Sequence, residues 1–324
     1  MRALTLTSLD GPDALELAEM LEPEPHEDLI TVDVHAAGAG FVDVLLSRGR
    51  YQIRPEPPFV PGIEFAGTVR WAPPGSGFEP GERVASTALG GGFAEVALAP
   101  VEGSFRLPDS MSFEQGAAIS VNYRTAHLGL VRRGRLSAGE VLLVHGAAGG
   151  VGSAALQIGN ALGARTIAVA SGERKQTVAL ELGAGEALDA GGDWVAQVRE
   201  LTAGRGADVV FDPVGGQRFS DSLRCMAPEG RLLVVGFADG EIPQLAVNRL
   251  LLKHLDVVGV NWGGFLPIDP ALAQDGATAI CELFERGEID PLIGGRYELA
   301  DGAQALRDIE ARRITGKAVI VARP

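Results

Sequence analysis

The stretch "VLLVHGAAGGVGSAALQIGNALGA", residues 141–164, decides the fold of this chain. An apolar run ends abruptly in glycines, and a small-residue segment of helical length follows. In the first strand–turn–helix unit of a dinucleotide-binding domain, glycines let a pyrophosphate approach the main chain, and N–H groups at the helix start bind it. The turn here is the variant A-x-G-x-x-G, formed by Ala147, Gly149 and Gly152. We therefore predict dinucleotide binding by the residues of this turn, which are Ala147, Ala148, Gly149, Gly150, Val151 and Gly152.

The segment after this turn alternates short apolar runs with stretches of helical length. "RTIAVAS", "ADVVFDPVGG", "RLLVVGFA" and "LDVVGVNWGG" are typical of strands buried on both faces, and helices are predicted at residues 153–162 and 173–182. This alternation predicts an α/β domain with a doubly wound parallel sheet and helices on both faces.

The residues before the glycine turn predict a β-rich domain instead. "LITVDVHAAGAG" alternates apolar and polar residues with a period of two, and "EFAGTVRWA" and "GGFAEVALAP" behave similarly. Residues 54–62 are rich in proline, which cannot donate to a sheet ladder, so a loop is expected there. Ser112 stands three residues before Gln115, which is the spacing of a capping box at a helix start.

The C-terminal part is predicted to be helical and then to end in a strand. A helix is expected over residues 270–286, and another begins after an N-cap at Asp301. The closing "KAVIVAR" predicts a strand, which we expect to return and pair with the first domain. The predicted division is residues 1–120 for the first part of the β-rich domain, 121–264 for the dinucleotide domain and 265–324 for the return segment.

The composition argues against several function classes. With 46% hydrophobic residues among 324, the chain can bury a large core, yet its apolar runs stop well before the roughly 18 residues of a transmembrane helix. A net charge of −14 argues against nucleic acid or an anionic membrane surface as a partner. Cys225 and Cys281 are the only cysteines, so a disulfide framework is not expected. We expect a reducing, cytoplasmic location instead.

The end of the second strand of the dinucleotide domain bears on the choice of coenzyme. A ribose-binding acid would stand near Ser171 in an NAD-dependent protein, but the sequence reads Ala-Ser-Gly-Glu-Arg-Lys from residue 170. Ser171 can hydrogen-bond a 2′-phosphate, and Arg174 or Lys175 can neutralise it, which favours NADPH. The alternative is that Glu173, Arg174 and Lys175 form a solvated helix start, with Glu173 able to bind a ribose hydroxyl.

"GRLSAGEVLLVHGAAGGVG", "FVPGIEFAGTV", "GADVVFDPVGG" and "RLLVVGFADG" together resemble the zinc-free quinone oxidoreductase branch of the medium-chain dehydrogenase/reductase superfamily. The resemblance covers nearly the whole chain. It implies a GroES-like catalytic domain, built from the N-terminal part and the C-terminal return, and a Rossmann domain between them. It also implies an active site in the cleft between the two domains and a homodimer paired along the edge of the Rossmann sheet.

The zinc-dependent branch of the superfamily polarises its substrate with a metal, which needs cysteine, histidine and carboxylate ligands. The family's first cysteine would fall at residues 38–40, where this chain has none, and Ile63 stands where that branch has a histidine, although Glu64 remains. His35 and His127 have no partner residues spaced around them and are expected to be packing histidines. No catalytic metal is therefore predicted.

Without a metal, the acceptor of hydride should be a quinone or an α,β-unsaturated carbonyl, because conjugation spreads the incoming charge onto an oxygen. The protein must then position the acceptor and donate hydrogen bonds to the developing oxyanion. The resemblance makes Tyr51 the first candidate for that donor, although a partly buried structural tyrosine is the alternative. It places cofactor contacts at Thr125, Gly236, Phe237 and Val260, and substrate contacts at Gly40, Phe41, Asn122 and Trp262.

Two positions depart from the family pattern. Gly40 replaces an asparagine whose amide could contact the acceptor or the nicotinamide ribose, so a donor is lost and space is opened. Ala190 stands where many relatives carry a tyrosine beside the adenosine phosphate, which predicts a weaker grip on the cofactor.

Three other functions remain as alternatives. An enoyl-thioester reductase would use the same chemistry on a longer substrate, whose phosphate could be bound by Arg48, Arg50 or Arg54. An NADPH-binding protein with little turnover is compatible with Gly40. A zinc alcohol dehydrogenase is the least favoured, because its ligands are missing.

Overall fold

The structure is a computed structural model and describes residues 1–266, 268–269 and 271–323. The strands are β1 (Arg2–Leu6), β2 (Leu15–Glu19), β3 (Leu29–Ala39), β4 (Glu64–Trp71), β5 (Arg83–Thr87), β6 (Val96–Pro100), β7 (Ser104–Arg106), β8 (Val141–His145), β9 (Arg165–Ala170), β10 (Glu186–Asp189), β11 (Ala207–Asp212), β12 (Met226–Val234), β13 (Asp256–Gly259), β14 (Ile293–Glu298) and β15 (Lys317–Val321).

The α-helices are α1 (Phe41–Ser47), α2 (Phe113–Ile119), α3 (Asn122–His127), α4 (Gly150–Ala161), α5 (Glu173–Glu181), α6 (Trp194–Leu201), α7 (Gly216–Cys225), α8 (Asn248–Leu251), α9 (Trp262–Phe265), α10 (Ala271–Glu285) and α11 (Gly302–Glu310). Among the described residues, no helix has both the length and the apolar character needed to cross a bilayer.

The chain divides into two compact units. Unit 1 comprises Met1–Val121, Pro270–Glu285 and Pro291–Pro324, and unit 2 comprises Asn122–Asp269 and Arg286–Asp290. The division expected from sequence differs from this one, because it ended the dinucleotide domain at residue 264 and assigned the whole C-terminal part to the other domain. Residues 286–290 join unit 2 because Gln157 of α4 donates to the carbonyl oxygen of Asp290 and accepts from its N–H, both at 2.8 Å.

Unit 2 is built on a six-stranded sheet in the order β10-β9-β8-β11-β12-β13. Every neighbouring pair is parallel, and the chain moves from β8 first to one side and then to the other. All residues of β8 and β11 are buried, as expected for central strands covered on both faces. The predicted Rossmann sheet is therefore confirmed, and its strand order reverses beside β8, where such sheets bind their ligands.

Unit 1 is built on a seven-stranded sheet in the order β14-β15-β3-β4-β5-β7, with β6 paired to β3, and on a separate β1–β2 hairpin. The β14–β15 pair is parallel and the other pairs are antiparallel. The closing strand β15 lies antiparallel to β3, with Ala318 opposite Ala39, so the expected return of the chain is confirmed.

Two of the predicted helix starts have different outcomes. Ser112 caps α2 as expected, because its Oγ accepts from the Gln115 N–H and the Gln115 side chain accepts from the Ser112 N–H. Asp301 stands at the N-cap of α11 as expected, but it lacks a capping hydrogen bond. A short 3₁₀ turn, Leu299–Asp301, leads into α11 and gives Asp301 a φ of −96° and a ψ of 10°, and its side chain caps no helical N–H. The extended conformation that aims a capping oxygen at the helix is therefore absent at this residue.

His145, the last residue of β8, is fully buried beneath the helices of unit 2. The Ser222 hydroxyl donates to the carbonyl oxygen of Arg218, so His145 Nε2 donates to Ser222 Oγ over 2.8 Å. The ring also packs edge-on against Trp194 at a centroid distance of 4.9 Å. Burial, assisted by the charge of Arg218, lowers the pKa of His145 to about 3, so the ring is neutral in the folded protein.

This burial predicts an acid-dependent loss of stability. Below about pH 6.5 the unfolded chain protonates His145 while the folded chain does not, so the free energy of unfolding should fall by about 2 kcal/mol between about pH 8 and pH 5. A His145→Gln variant has no group titrating there and should lose less stability over the same interval. Urea unfolding of both proteins at the two pH values measures the difference. Equal losses in the two proteins would show that His145 does not carry the effect.

Candidate active site

The glycine turn of unit 2 depends on backbone conformation and a backbone hydrogen bond. Gly146 has a φ of 58°, in the left-handed region that favours glycine, and the Gly149 N–H donates to its carbonyl oxygen at 2.8 Å. Gly149 is the N-cap of α4 and offers no side chain to the helix. The helix start therefore keeps backbone N–H groups for an anionic ligand.

The glycines also allow close packing around the turn. A Cβ on Gly152 would lie 2.2 Å from the carbonyl oxygen of Gly146, and one on Gly150 would lie 2.4 Å from Nδ2 of Asn122. Ala147 and Ala148 are buried, so their methyl groups are part of the packing around the turn. The structure brings the predicted turn residues together at the end of β8, with Asn122 beside them.

The end of β9 forms the second part of this site. Ser171 and Arg174 are exposed and Lys175 is half-buried, where the chain passes from β9 into α5. The turn uses Gly172 at a φ of 76°, and its N–H donates to Asp189 Oδ1 at 3.2 Å. Asp189 ends the neighbouring strand β10 opposite Ala170, and its carboxylate was missed at the sequence level because only the strand pairing brings it here.

The later strands of unit 2 contribute side chains of different accessibility. Gly236 and Phe237 follow β12, and Phe237 is 38% exposed, whereas Val260 after β13 is buried. Trp262 is also buried, and its ring lies 4.2 Å from the guanidinium carbon of Arg124. Thr125, on the same helix as Arg124, is half-buried. The predicted contact residues after β12 and β13 therefore include two buried side chains, those of Val260 and Trp262.

Unit 1 gathers Gly40, Phe41 and Tyr51 around a buried carboxylate. Asp43 on α1 accepts from the Gly40 N–H at 2.8 Å and from the Gly62 N–H at 3.2 Å, and it is only 1% exposed. Burial raises its pKa, and the positive charge of Lys317 opposes that rise. Phe41 is 40% exposed, and Tyr51 is half-buried. Burial raises the pKa of Tyr51, and the charge of Asp43 raises it further, so Tyr51 keeps its hydroxyl proton at neutral pH.

A buried ion pair lies beside these residues. The ammonium of Lys317, at the start of β15, donates to Glu64 Oε1, while Glu64 Oε2 accepts from the Val121 N–H at 2.7 Å. The two side chains are 5% and 1% exposed. Burial raises the pKa of Glu64, and the charge and hydrogen bond of Lys317 oppose that rise. Lys317 was missed at the sequence level; a single lysine opening an otherwise apolar strand is the signal that could have found it.

The residues considered as metal ligands are packed or apolar. His35 stacks on Phe113 at a centroid distance of 4.3 Å, and burial lowers the pKa of His127. Within the described part of the chain, no three His, Cys, Asp or Glu side chains are grouped so as to hold a metal ion.

Two family models match the chain. One described as "Zinc-binding dehydrogenase" matches residues 150–275, and one described as "Alcohol dehydrogenase GroES-like domain" matches residues 26–109. The GroES-like and Rossmann parts expected from the sequence are thus both found.

Curated relatives match most of the chain. The quinone oxidoreductase-like protein 2 homolog of Nematostella vectensis is 38% identical over 296 residues, which cover 90% of this chain and 81% of that protein. The quinone oxidoreductase of Homo sapiens is 31% identical over 326 residues, covering 99% of this chain and 98% of that protein.

Solved structures are also similar to this chain over almost its whole length. A mycobacterial protein complexed with NADPH has a TM-score of 0.92 and 31% identity, covering 99% of each chain. The quinone oxidoreductase of Escherichia coli complexed with NADPH has a TM-score of 0.90 and 27% identity, covering 99% of this chain and 100% of that one. With this fold and these relatives, the chain belongs to the quinone oxidoreductase family of the medium-chain dehydrogenase/reductase superfamily.

Proposed function

We propose that this protein is an NADPH-dependent oxidoreductase that transfers hydride to a quinone or an α,β-unsaturated carbonyl without a catalytic metal. The observation that carries the proposal is the arrangement at the ends of β8 and β9. The glycine turn presents helix N–H groups there, and Ser171, Arg174 and Lys175 follow on the adjacent strand. These groups suit a pyrophosphate and a 2′-phosphate. The NADPH complexes of two structural relatives support the same coenzyme.

Metal independence is supported by what stands at the ligand positions. Residues 38–40 and Ile63 carry no metal-binding side chain. A Cβ built on Gly40 would lie 3.0 Å from Nζ of Lys317, so an ammonium occupies the neighbouring space.

The candidate site residues have separate tasks in the proposed reaction. NADPH, when bound, supplies the hydride. The glycine turn binds its pyrophosphate, and Ser171 and Lys175 bind its 2′-phosphate. Hydride transfer places negative charge on the oxygen of the acceptor, and Tyr51 donates a hydrogen bond to that oxygen. Burial and Asp43 keep the Tyr51 hydroxyl protonated for this role.

The alternative function, an enoyl-thioester reductase, has fewer free arginines in its favour than the sequence suggested. Arg48 donates to Glu310 through both Nε and Nη2, the latter at 2.8 Å, so its charge is already paired. Arg50 and Arg54 are exposed and remain as contacts for a phosphate. A cytoplasmic location, which the composition favours, is part of the proposal.

Coenzyme preference tests the role of the residues after β9. Lys175→Ala should weaken NADPH binding by about 1.5–3 kcal/mol, or roughly 10- to 150-fold, and spare NADH, because only NADPH carries the 2′-phosphate. Lys253→Ala is a matched control, since Lys253 donates to the carbonyl oxygen of Met226 and should affect neither coenzyme. Fluorescence titration of the parent protein and both variants with NADPH and with NADH gives the six affinities needed. Equal losses for NADPH and NADH would contradict the assignment.

The reaction itself is tested by NADPH oxidation with quinones, enals, enones and enoyl thioesters, with and without a chelator. We expect turnover with quinones or enones that a chelator leaves unchanged. Tyr51→Phe should lower kcat about 100-fold with unchanged NADPH affinity, because one donor to the oxyanion is lost. Activity abolished by the chelator would contradict the metal-free mechanism, unchanged turnover in Tyr51→Phe would remove the donor role, and tight NADPH binding without any turnover would favour the non-catalytic alternative.

We also propose that two copies pair along the edge strand β13. The strand ends the sheet of unit 2, and Val257 on it is 37% exposed. Leu251 and Leu252, just before it, are 74% and 78% exposed, which is unusual for large apolar side chains. Val257→Lys should therefore convert a dimer into a monomer with unchanged NADPH affinity, as measured by sedimentation. A monomeric parent protein would contradict the pairing.

A further inference from the structure

Gly40 leaves an opening in unit 1 that faces a buried charge. A Cβ built on Gly40 would lie 3.0 Å from Nζ of Lys317 and 3.8 Å from Oδ2 of Asp43. Gly40 itself is partly exposed, whereas Lys317 is 4% and Glu64 1% exposed. The ammonium therefore lies just beneath a residue that has no side chain to cover it.

The ammonium has hydrogen-bonding capacity beyond its ion pair. A lysine ammonium carries three donors. Among the described residues, the acceptor recorded for Lys317 is Glu64 Oε1. An oxygen that reached the open face of Gly40 could accept from the same nitrogen.

The surroundings of Lys317 hold it in one place. Glu64 is fixed by the Val121 N–H, and Asp43 fixes the main chain on both sides by accepting from Gly40 and Gly62. On the other side, a Cβ on Gly38 would lie 2.8 Å from both Lys317 Cε and Glu64 Cγ, so the stem of the lysine is closely packed. A charge held this firmly needs little reorganisation to stabilise new charge next to it.

We propose that Lys317 is a catalytic residue, the second hydrogen-bond donor to the reacting oxygen of the acceptor, which it reaches across the open face of Gly40. The inference rests on the proposed function. Hydride transfer adds one hydrogen and two electrons to the conjugated acceptor, and the resulting negative charge resides on that oxygen. Lys317 stabilises this charge by its hydrogen bond. The oxyanion is protonated afterwards by Tyr51 or by water.

The first experiment removes the charge without leaving Glu64 unpaired. A Lys317→Met variant alone would strand a buried carboxylate and lose stability. The double variant Lys317→Met/Glu64→Gln is therefore compared with Glu64→Gln, which keeps the lysine, and with Lys253→Met as the matched lysine control. We expect kcat of the double variant to fall about 100-fold relative to Glu64→Gln, with NADPH affinity unchanged. Lys253→Met should keep the parental kcat.

The second experiment keeps the charge and blocks the approach to it. Gly40 has extended backbone angles, φ −138° and ψ 177°, which alanine adopts without strain. Gly40→Ala places a methyl group 3.0 Å from Nζ, between the ammonium and an incoming oxygen. Its kcat should fall by a similar factor, and this variant gives the answer even when the double variant does not fold.

The dependence on the acceptor separates a catalytic role from a structural one. A hydrogen bond to the oxyanion matters more as that oxyanion becomes more basic, so the loss in kcat should be larger for enones than for quinones. The inference is overturned if the folded double variant keeps the kcat of Glu64→Gln and Gly40→Ala keeps the kcat of the parent. It is also overturned if the losses in kcat are the same for all acceptors. If the parent protein fails to oxidise NADPH with every acceptor tested, the proposed function itself is overturned, and the inference with it.

Discussion

The ion pair between Lys317 and Glu64 joins two strands that are distant in the sequence and holds the last strand of the chain in the body of unit 1. The partners are separated by 253 residues, and both are almost completely buried. Removing one partner of such a pair costs about 3–5 kcal/mol, because the remaining charge is left without compensation. The return of β15 to β3 and the ion pair therefore depend on each other, and together they bring a positive charge to the opening at Gly40.

Glycine serves opposite purposes at the turn of unit 2 and at the start of α1 in unit 1. At Gly152, the missing Cβ lets the backbone of Gly146 approach so closely that the helix starts directly behind the strand, which exposes N–H groups to a phosphate. At Gly40, the missing side chain leaves room next to an ammonium instead of next to a backbone. The first arrangement suits a negatively charged coenzyme, and the second suits an oxygen that becomes negatively charged during the reaction.

Features encoded in neighbouring residues could be predicted from the sequence. The glycine turn, the strand–helix alternation of unit 2 and the capping box at Ser112 each depend on spacings within a few residues, and the structure confirms all three. The start of α4 was predicted at residue 153, but the helix begins at Gly150. The predicted start was too late because the first turn contains glycines, whose intrinsic helix propensity is low.

The return of the closing strand was expected, but the side-chain contacts that depend on long-range pairing could not be predicted. Lys317 and Glu64 meet only because β15 returns to the sheet, and Asp189 reaches Gly172 only through the pairing of β10 with β9. The pairing of Arg48, the residue that follows α1, with Glu310 of α11 likewise joins distant parts of the chain. Each of these contacts joins residues on separate elements, so its partners cannot be paired from local sequence alone.

The central claim is that hydride passes directly from the coenzyme to a conjugated acceptor. Single-turnover reduction of an enone with NADPH deuterated at the transferred position of C4, in the presence of a chelator, tests it most directly. We predict a reduced product that retains the deuterium at its β-carbon, as measured by mass spectrometry and NMR. A product without the label, or one formed only after metal is restored, would contradict the account.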